Sequence, residues 1–379
     1  MKYLERTIEE DFQQYLLPNK VLVLMGARRV GKTELLKTQL SKIKEPYIFL
    51  NGEDSSTVSV LSNRTVSNYK RLLGDKKLLV IDEAQTIPNI GKILKLIVDE
   101  IEDVRVIATG SSVFDLENEL GEPLTGRDIT VKLFPLSQME FNKNENLVET
   151  KSRLEERLIL GGYPELLQYE GWDKKSKYLD RLVGSYLIRD ILSFEHLKKP
   201  DKIISLLRLI AFQIGQEVSL SELGKQLGID KKTVERYLDL LTKVFVLYKA
   251  NAYSKNPRKE ISKSSRWYFY DNGIRNALIA NVNQLNLRND QGQLWENYVV
   301  SERLKYQSYK GMLVNNYFWR TYAQQEVDWV EERGGKLYGY EFKWNPKKVK
   351  GAPSSWKKLY PDAEFITIHP DNYLDFISD

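Results

Sequence analysis

Short apolar runs and helical patterns alternate over the first 140 residues. Five runs predict strands, at residues 21–25, 47–50, 78–81, 104–108 and 129–133. Apolar residues at helical spacing fill most of the intervals between these runs, and residues 1–19 predict a short leading helix. Buried parallel strands are near-continuously apolar because helices cover both faces of their sheet. The pattern therefore predicts an α/β domain with a parallel sheet over residues 1–140.

The pattern changes after residue 140. Residues 141–200 predict helices interrupted at Gly161 and Gly162, as in a small helical lid. Residues 201–275 predict a helix, a helix-turn-helix and two strands, which together favour a winged helix. Residues 276–379 predict an amphipathic helix and strands with period-two alternation, typical of a small α/β domain. Four regions with these boundaries are therefore expected.

The composition excludes several kinds of chemistry. The chain has 379 residues, no cysteine and two histidines. The chain therefore lacks the residues needed for disulfides, thiolate metal sites, zinc-hydrolase centres and serine–histidine catalysis. The net charge of +5 is compatible with a nucleic-acid partner but too small to predict one alone. Because there is no signal-peptide pattern and no membrane-length apolar run, we expect a soluble cytoplasmic protein that does not contact a membrane.

The first apolar run leads into a loop with the pattern G-x-x-x-x-G-K-[ST]. Between a strand and a helix, such a loop aims backbone N–H groups at phosphate oxygens. Lys32 would reach the β- and γ-phosphates, and the Thr33 hydroxyl would bind Mg²⁺. The predicted nucleotide site comprises Gly26, Ala27, Arg28, Arg29, Val30, Gly31, Lys32 and Thr33.

Two acids follow the third apolar run, as in a Walker B motif. Asp82 would hold Mg²⁺ directly or through water, and Glu83 could orient or deprotonate the attacking water. The additional acid indicates hydrolysis of the nucleotide as well as binding. The fourth run ends in Thr109–Ser112, where the hydroxyls either face the γ-phosphate or cap a loop.

These motifs together resemble the prokaryotic AAA+ ATPases of the archaeal-ATPase branch. The resemblance covers essentially the whole chain, and it rests on the P-loop, residues 80–85, Thr109–Ser112, Gly126-Arg127, Gly161–Glu165 and Tyr186–Asp190. It implies ATP as the nucleotide, a sheet with the P-loop strand central, and a sensor role for Thr109 or Ser111. It also makes Arg127 a candidate finger for the nucleotide of a neighbouring subunit in a homo-oligomer. Pro164 would line the adenine.

The helix-turn-helix predicts a surface that contacts DNA. Its second helix would turn Lys231, Lys232, Thr233 and Arg236 towards a groove, with Lys255, Arg258 and Lys259 of the wing on flanking phosphates. Winged helices also serve as protein-contact modules or as parts of ATPase lids. DNA and protein are therefore both open as partners of this region.

The C-terminal region predicts a second candidate active site. Period-two alternation places Asp328 on one strand and Glu341 and Lys343 on the next, so that the three can meet around one point. Two carboxylates can bind Mg²⁺, and a lysine can polarise water for attack on phosphorus. The spacing resembles the PD-(D/E)XK nuclease core, and Glu296 matches the helix glutamate of many such nucleases. A salt-bridged surface strand, or a nuclease fold that binds DNA without cutting it, would carry the same residues.

The sequence thus predicts a P-loop NTPase sheet domain with a helical lid, a winged helix-turn-helix and a restriction-endonuclease-like α/β domain. The expected function is Mg²⁺-dependent ATP hydrolysis to ADP, coupled to DNA binding, with DNA cleavage as an open activity. The alternative is a regulatory or interaction ATPase that acts through protein contacts and whose nuclease-like domain is catalytically inert.

Overall fold

A computed structural model of the protein describes residues 3–111, 124–187, 200–254 and 265–378. The chain divides into two compact units. The N-terminal unit contains Glu5–Phe134 together with Lys243–Phe245. The C-terminal unit contains residues 3–4 and the rest of the described chain from Pro135 onwards.

The N-terminal unit is built on a five-stranded parallel sheet with the order β2-β3-β4-β1-β5. Its elements are β1 (Lys20–Met25), α1 (Lys32–Lys42), β2 (Tyr47–Asn51), α2 (Ser55–Ser62), α3 (Val66–Leu73), β3 (Leu78–Asp82), α4 (Ile90–Glu100), β4 (Arg105–Gly110) and β5 (Asp128–Lys132). The predicted parallel sheet is confirmed. The P-loop strand β1 is internal, between β4 and β5, but β4 is the middle strand, which corrects the expected order.

The burial of each strand follows its position in this sheet. Every residue of β3 is buried, whereas the edge strands β2 and β5 alternate between exposed and partly buried positions. The predicted leading helix is wrong, because residues 7–9 and 12–15 form two separate 3₁₀ turns. The buried Arg6 guanidinium donates hydrogen bonds to the carbonyls of Val30 (2.7 Å) and Phe134 (2.6 Å). These tertiary bonds, rather than helix propensity, hold the segment.

The C-terminal unit is built on a seven-stranded mixed sheet with the order β12-β11-β10-β9-β7-β8-β6. Its strands are β6 (Glu217–Val218), β7 (Leu247–Ala252), β8 (Ser265–Phe269), β9 (Asn315–Arg320), β10 (Glu326–Arg333), β11 (Lys336–Phe342) and β12 (Glu364–Ile368). β7 pairs with β9 in parallel through Asn251 with Tyr317 and Ala252 with Phe318. The four-region division stays a prediction, and its boundary at residue 275 falls inside this continuous sheet.

The helices of this unit lie before and after that boundary in the sequence. They are α5 (Gln138–Asn142), α6 (Leu147–Ser152), α7 (Leu154–Leu160), α8 (Trp172–Arg181), α9 (Pro200–Phe212), α10 (Leu220–Leu227), α11 (Lys231–Lys243), α12 (Asn272–Leu278), α13 (Gln291–Tyr309), α14 (Ser354–Leu359) and α15 (Tyr373–Ile377). A π-helix, Leu182–Leu187, continues α8. Within the described residues, no helix combines the length and the apolar character needed to cross a membrane.

The predicted break at Gly161 and Gly162 has a structural cause. The Asp271 carboxylate accepts hydrogen bonds from the N–H groups of Gly162 (2.7 Å) and Ile274 (3.0 Å). Gly161 has a φ of +74°, and a Cβ there would lie 2.2 Å from Asp271 Oδ1. Only glycine fits this approach, which ties the predicted lid to the start of α12.

Candidate nucleotide site and acidic cluster

The P-loop connects β1 to α1 in the N-terminal unit. Gly31 precedes the helix with a φ of +98°, a left-handed conformation that glycine adopts without steric cost. At Gly26, a Cβ would lie 2.1 Å from the Leu133 carbonyl oxygen, so the loop start also requires glycine. Lys32 is buried, and its Nζ donates to the carbonyls of Gly26 (2.9 Å) and Ala27 (3.1 Å). The ammonium group therefore lies against the loop in which phosphates are expected.

Asp82 links three elements at the carboxyl edge of the parallel sheet. Its Oδ2 accepts a hydrogen bond from the Thr33 hydroxyl (2.9 Å), and its Oδ1 accepts one from the Thr109 hydroxyl (2.5 Å). The Thr109 oxygen in turn accepts the N–H of Glu83 (3.0 Å). The carboxylate and the Thr33 hydroxyl thus lie side by side at the start of α1. Oxygen ligands of this kind fit Mg²⁺.

Glu83 has a left-handed backbone, with a φ of +51°. Its Oε2 accepts a hydrogen bond from the Gln85 amide (2.6 Å), and the same amide nitrogen lies 3.2 Å from the Ser111 hydroxyl. Gln85 therefore orients the predicted water-activating carboxylate and connects it to one predicted sensor residue. The sequence interpretation missed Gln85, although its place two residues after the acidic pair was a signal.

The remaining residues predicted for this site have separate positions. Arg28 forms an ion pair with Glu53 (3.5 Å), and Arg29 is exposed with a φ of +67°. Arg127 stands before β5, at the sheet edge opposite its own P-loop, and it pairs with Asp99. Pro164 begins a 3₁₀ turn of the C-terminal unit. Its role at the adenine and that of Arg127 as a finger stay predictions.

In the C-terminal unit, three carboxylates lie within 4 Å of one buried arginine, Arg266 of β8, and a fourth, that of Glu341, interacts electrostatically with Asp328 and Glu326. We call the carboxylates Glu296, Glu326, Asp328 and Glu341 the acidic cluster. Arg266 Nη2 lies 2.7 Å from Glu326 Oε2, while Nη1 lies 3.7 Å from Asp328 Oδ1 and 3.9 Å from Glu296 Oε1. The sequence interpretation missed Arg266, although a single basic residue in an aromatic strand is a signal for a buried ion pair.

The predicted residues of this second site do come together. The Phe342 N–H donates to Asp328 Oδ2 (2.9 Å), which places Asp328 beside the end of β11. Glu341 forms an ion pair with Lys343, and the Tyr268 hydroxyl donates to Glu296 Oε1 (2.9 Å). Within the described residues, however, no group of three or more acids or histidines is arranged to hold a metal ion. One or two carboxylates are enough to bind Mg²⁺, so the metal role of Asp328 and Glu341 stays a prediction.

Burial dominates the acid–base behaviour of the cluster. It raises the pKa of Glu296 to about 8, with a further contribution from the Asp328 charge. Burial also raises the pKa of Asp328, against the opposing effect of Arg266, and raises the pKa of Glu341. Burial lowers the pKa of Lys343, but its hydrogen bond with Glu341 and the Asp328 charge outweigh this, so the net shift is upward. Burial thus favours the neutral forms of Glu296, Asp328 and Glu341, and the charges of Arg266 and Lys343 oppose this effect.

The second helix of the predicted helix-turn-helix, α11, borders a groove of about 900 Å³. Lys231, Lys232 and Arg236 are exposed and line it. Thr233 instead lies in the first turn of the helix, which Asp230 caps, because the N–H (2.9 Å) and the hydroxyl (2.6 Å) of Thr233 both donate to the Asp230 carboxylate. The wing residues Lys255, Arg258 and Lys259 lie outside the described residues.

Comparison with known proteins finds three family models and several relatives that are similar to parts of the chain. Family models match residues 18–142 (AAA domain), 151–289 (domain of unknown function, DUF8612) and 291–373 (domain of unknown function, DUF4143). An uncharacterized protein of Mycobacterium bovis is 28% identical over 329 residues, or 85% of this chain and 70% of its own length. One of Methanocaldococcus jannaschii is 26% identical over 345 residues, or 86% and 75%.

Among solved structures, the Walker-type ATPase of Pyrococcus abyssi aligns with a TM-score of 0.49 and 20% identity, over 72% of this chain and 94% of its own. The family match, in contrast, coincides with the segment that carries the P-loop and the Asp82–Glu83 pair. Residues 18–142 therefore match the model of an AAA domain.

Proposed function

We propose that the N-terminal unit binds Mg²⁺–ATP and hydrolyses it to ADP and phosphate. The observation that carries this proposal is the position of Asp82, whose carboxylate joins the Thr33 hydroxyl of the P-loop to the Thr109 hydroxyl of β4. Glu83 follows Asp82 directly, so a base and one metal ligand stand at the end of β3, and the second metal ligand, Thr33, lies beside them at the start of α1. The AAA domain match over the same residues supports the proposal.

Each residue has a defined task in this mechanism. Lys32 and the loop N–H groups hold the β- and γ-phosphates, and Thr33 and Asp82 hold Mg²⁺. When bound, Mg²⁺ neutralises charge on the phosphate oxygens. The Glu83 carboxylate takes a proton from the water that attacks the γ-phosphorus, and the bond from that phosphorus to the β–γ bridging oxygen breaks. Gln85 keeps the Glu83 carboxylate oriented, and Thr109 and Ser111 are the polar groups that would respond to the γ-phosphate.

Two substitutions test this assignment. Lys32→Ala should abolish ATP binding in a fluorescent-nucleotide titration, because it removes the charge that meets the phosphates. Glu83→Gln should bind ATP with unchanged affinity but lose hydrolysis, because the amide cannot accept the proton. Hydrolysis at the wild-type rate in Glu83→Gln would contradict the role of Glu83 as the base.

We further propose that the C-terminal unit binds DNA through the groove beside α11, and that the nucleotide cycle controls this binding. The element order α9, β6, α10, α11, β7, β8 is that of a winged helix, which supports the proposal. Lys249, on β7, lies 5.8 Å from the Trp267 ring centroid and lines the same groove as the exposed lysines of α11. A concave surface with several cations suits a phosphate backbone.

The salt dependence of DNA binding tests this second proposal. Phosphate contacts release counterions, so the logarithm of the affinity should fall steeply and linearly with the logarithm of the salt concentration. We expect this slope for double-stranded DNA in a fluorescence anisotropy titration with the full chain. A flat salt dependence would contradict DNA as the partner.

A protein partner is the second candidate, and one observation favours it. Glu235 and Asp239 line the same groove as the cations, so the surface carries both signs of charge. Such a mixed surface suits a polar protein interface in which the ATPase acts by nucleotide-dependent contacts. A flat salt dependence for DNA together with nucleotide-dependent binding of a purified protein would favour this function.

A further inference from the structure

The acidic cluster contains a buried cation, the guanidinium of Arg266. Arg266 belongs to β8, which is three places away from β10 in the sheet order, yet its guanidinium reaches two carboxylates of β10. Two strands, β9 and β7, lie between them in that order, and the guanidinium Cζ lies 4.6 Å from the ring centroid of Phe318 on β9. Only 4% of Arg266 is exposed. The charge is therefore held in place by packing as well as by ion pairs.

Each carboxylate of the cluster has at least one oxygen in contact with a protein partner. Glu326 binds Arg266, and Glu341 pairs with Lys343. Asp328 accepts the Phe342 N–H, and Glu296 accepts the Tyr268 hydroxyl. A Mg²⁺ ion requires oxygen ligands at about 2.1 Å in near-octahedral geometry. A Mg²⁺ ion bound by Glu326 and Asp328 would have to displace the guanidinium, which lies within 4 Å of both carboxylates.

We propose that Arg266 takes the place of a divalent metal in this cluster, so that the C-terminal unit neither binds Mg²⁺ there nor cuts DNA. The guanidinium balances the Glu326 and Asp328 charges and joins β8 to β10 and α13. The ion pairs of the cluster then stabilise the seven-stranded sheet. This inference does not rest on the nucleotide site, and it gives the residues that match the nuclease pattern a structural role.

Manganese binding to the full chain without nucleotide tests the inference. All variants carry Asp82→Asn, which removes the metal ligand of the nucleotide site, and the free Mn²⁺ signal is followed by electron paramagnetic resonance. We expect no site that is filled at about 1 mM Mn²⁺ in this background. Mn²⁺ binding that disappears when Asp328→Asn is added would overturn the inference.

Removal of the guanidinium provides the complementary test. Arg266→Met should lower the melting temperature by roughly 10 °C, because it leaves buried carboxylates without their counter-charge. In the folded variant we expect a new Mn²⁺ site that requires Asp328 and that raises the melting temperature. Arg266→Lys keeps the positive charge and should gain no site. A folded Arg266→Met protein that gains none would show that the guanidinium does not stand where a metal could bind.

Nuclease activity gives an independent readout with the unmodified chain. Linear, nicked and branched DNA should remain intact with Mg²⁺ or Mn²⁺, with and without ATP. Cleavage that is present in the wild type and lost in Asp328→Ala would overturn the inference, whatever the behaviour of the Arg266 variants.

Discussion

Asp82 and Asp328 are equally buried, each with 6% of its surface exposed, but their partners differ. Asp82 accepts hydrogen bonds from two hydroxyls, those of Thr33 and Thr109. Asp328 lies 3.7 Å from the Arg266 guanidinium. Neutral donors orient a carboxylate and leave its negative charge for an added cation, whereas an internal cation compensates that charge. We infer from this difference that metal capacity depends on the source of the counter-charge and not on the acids alone.

The largest expected effect is the loss of ATP hydrolysis when Asp82 is replaced. Asp82→Asn should lower kcat for ATP hydrolysis roughly 10²–10³-fold, because the Mg²⁺ ion that stabilises the transition-state charge loses a ligand. A phosphate-release assay measures this loss. The exposed Asp75 provides the matched control, and Asp75→Asn should leave kcat unchanged. Equal kcat values for Asp82→Asn and Asp75→Asn would show that Asp82 has no specific role in hydrolysis.

The second effect concerns the internal cation. Arg266→Met should reduce the free energy of unfolding by about 3–5 kcal/mol, since breaking a buried pair leaves charges uncompensated. The control is Arg320→Met, because Arg320 pairs with Glu217 but is more than a third exposed. That change should cost at most about 1 kcal/mol in urea denaturation. Similar small losses in both variants would show that Arg266 is not the counter-charge of the cluster.

A smaller effect follows from the pH dependence of the cluster. Because the pKa of Glu296 is raised to about 8, the folded state binds more protons than the unfolded state above the ordinary value of 4.5. Stability should therefore fall as the pH rises from about 4.5 to about 8, by at most about 1.4 kcal/mol per pH unit. Glu296→Gln should flatten this dependence in urea denaturation at several pH values. An unchanged slope in the variant would assign the pH dependence to another group.

The smallest effect concerns the groove beside α11. Lys232→Ala should reduce the slope of the logarithm of DNA affinity against the logarithm of salt by about 1, because one phosphate contact is lost. Lys174 is also exposed but does not line the groove, so Lys174→Ala should leave the slope unchanged. Equal slopes for the wild type and both variants would place DNA elsewhere or exclude it as the partner.

The geometry of the candidate nucleotide site was predictable because its interactions follow local rules. The P-loop residues are adjacent in sequence, and their glycines are required by the loop itself. Parallel strands also bring their carboxyl ends to one sheet edge, which places Asp82 and Thr109 beside the loop. Gln85 escaped prediction because the left-handed backbone of Glu83 redirects the chain, and no periodic pattern indicates this turn.

The acidic cluster was predictable only in part, for a different physical reason. Alternation on neighbouring strands is local, so Asp328, Glu341 and Lys343 were correctly brought to one point. Arg266 depends on the strand order β10-β9-β7-β8, and this order joins regions that looked like separate domains. Apolar patterning indicates which residues are buried but not which distant strand supplies their counter-charge.

Counting bound Mn²⁺ in the presence of a non-hydrolysable ATP analogue tests the central claim most directly. We predict one ion per wild-type chain by electron paramagnetic resonance, the loss of that ion in Asp82→Asn and its retention in Asp328→Asn. Two ions in the wild type, or one ion that depends on Asp328 and not on Asp82, would contradict this account.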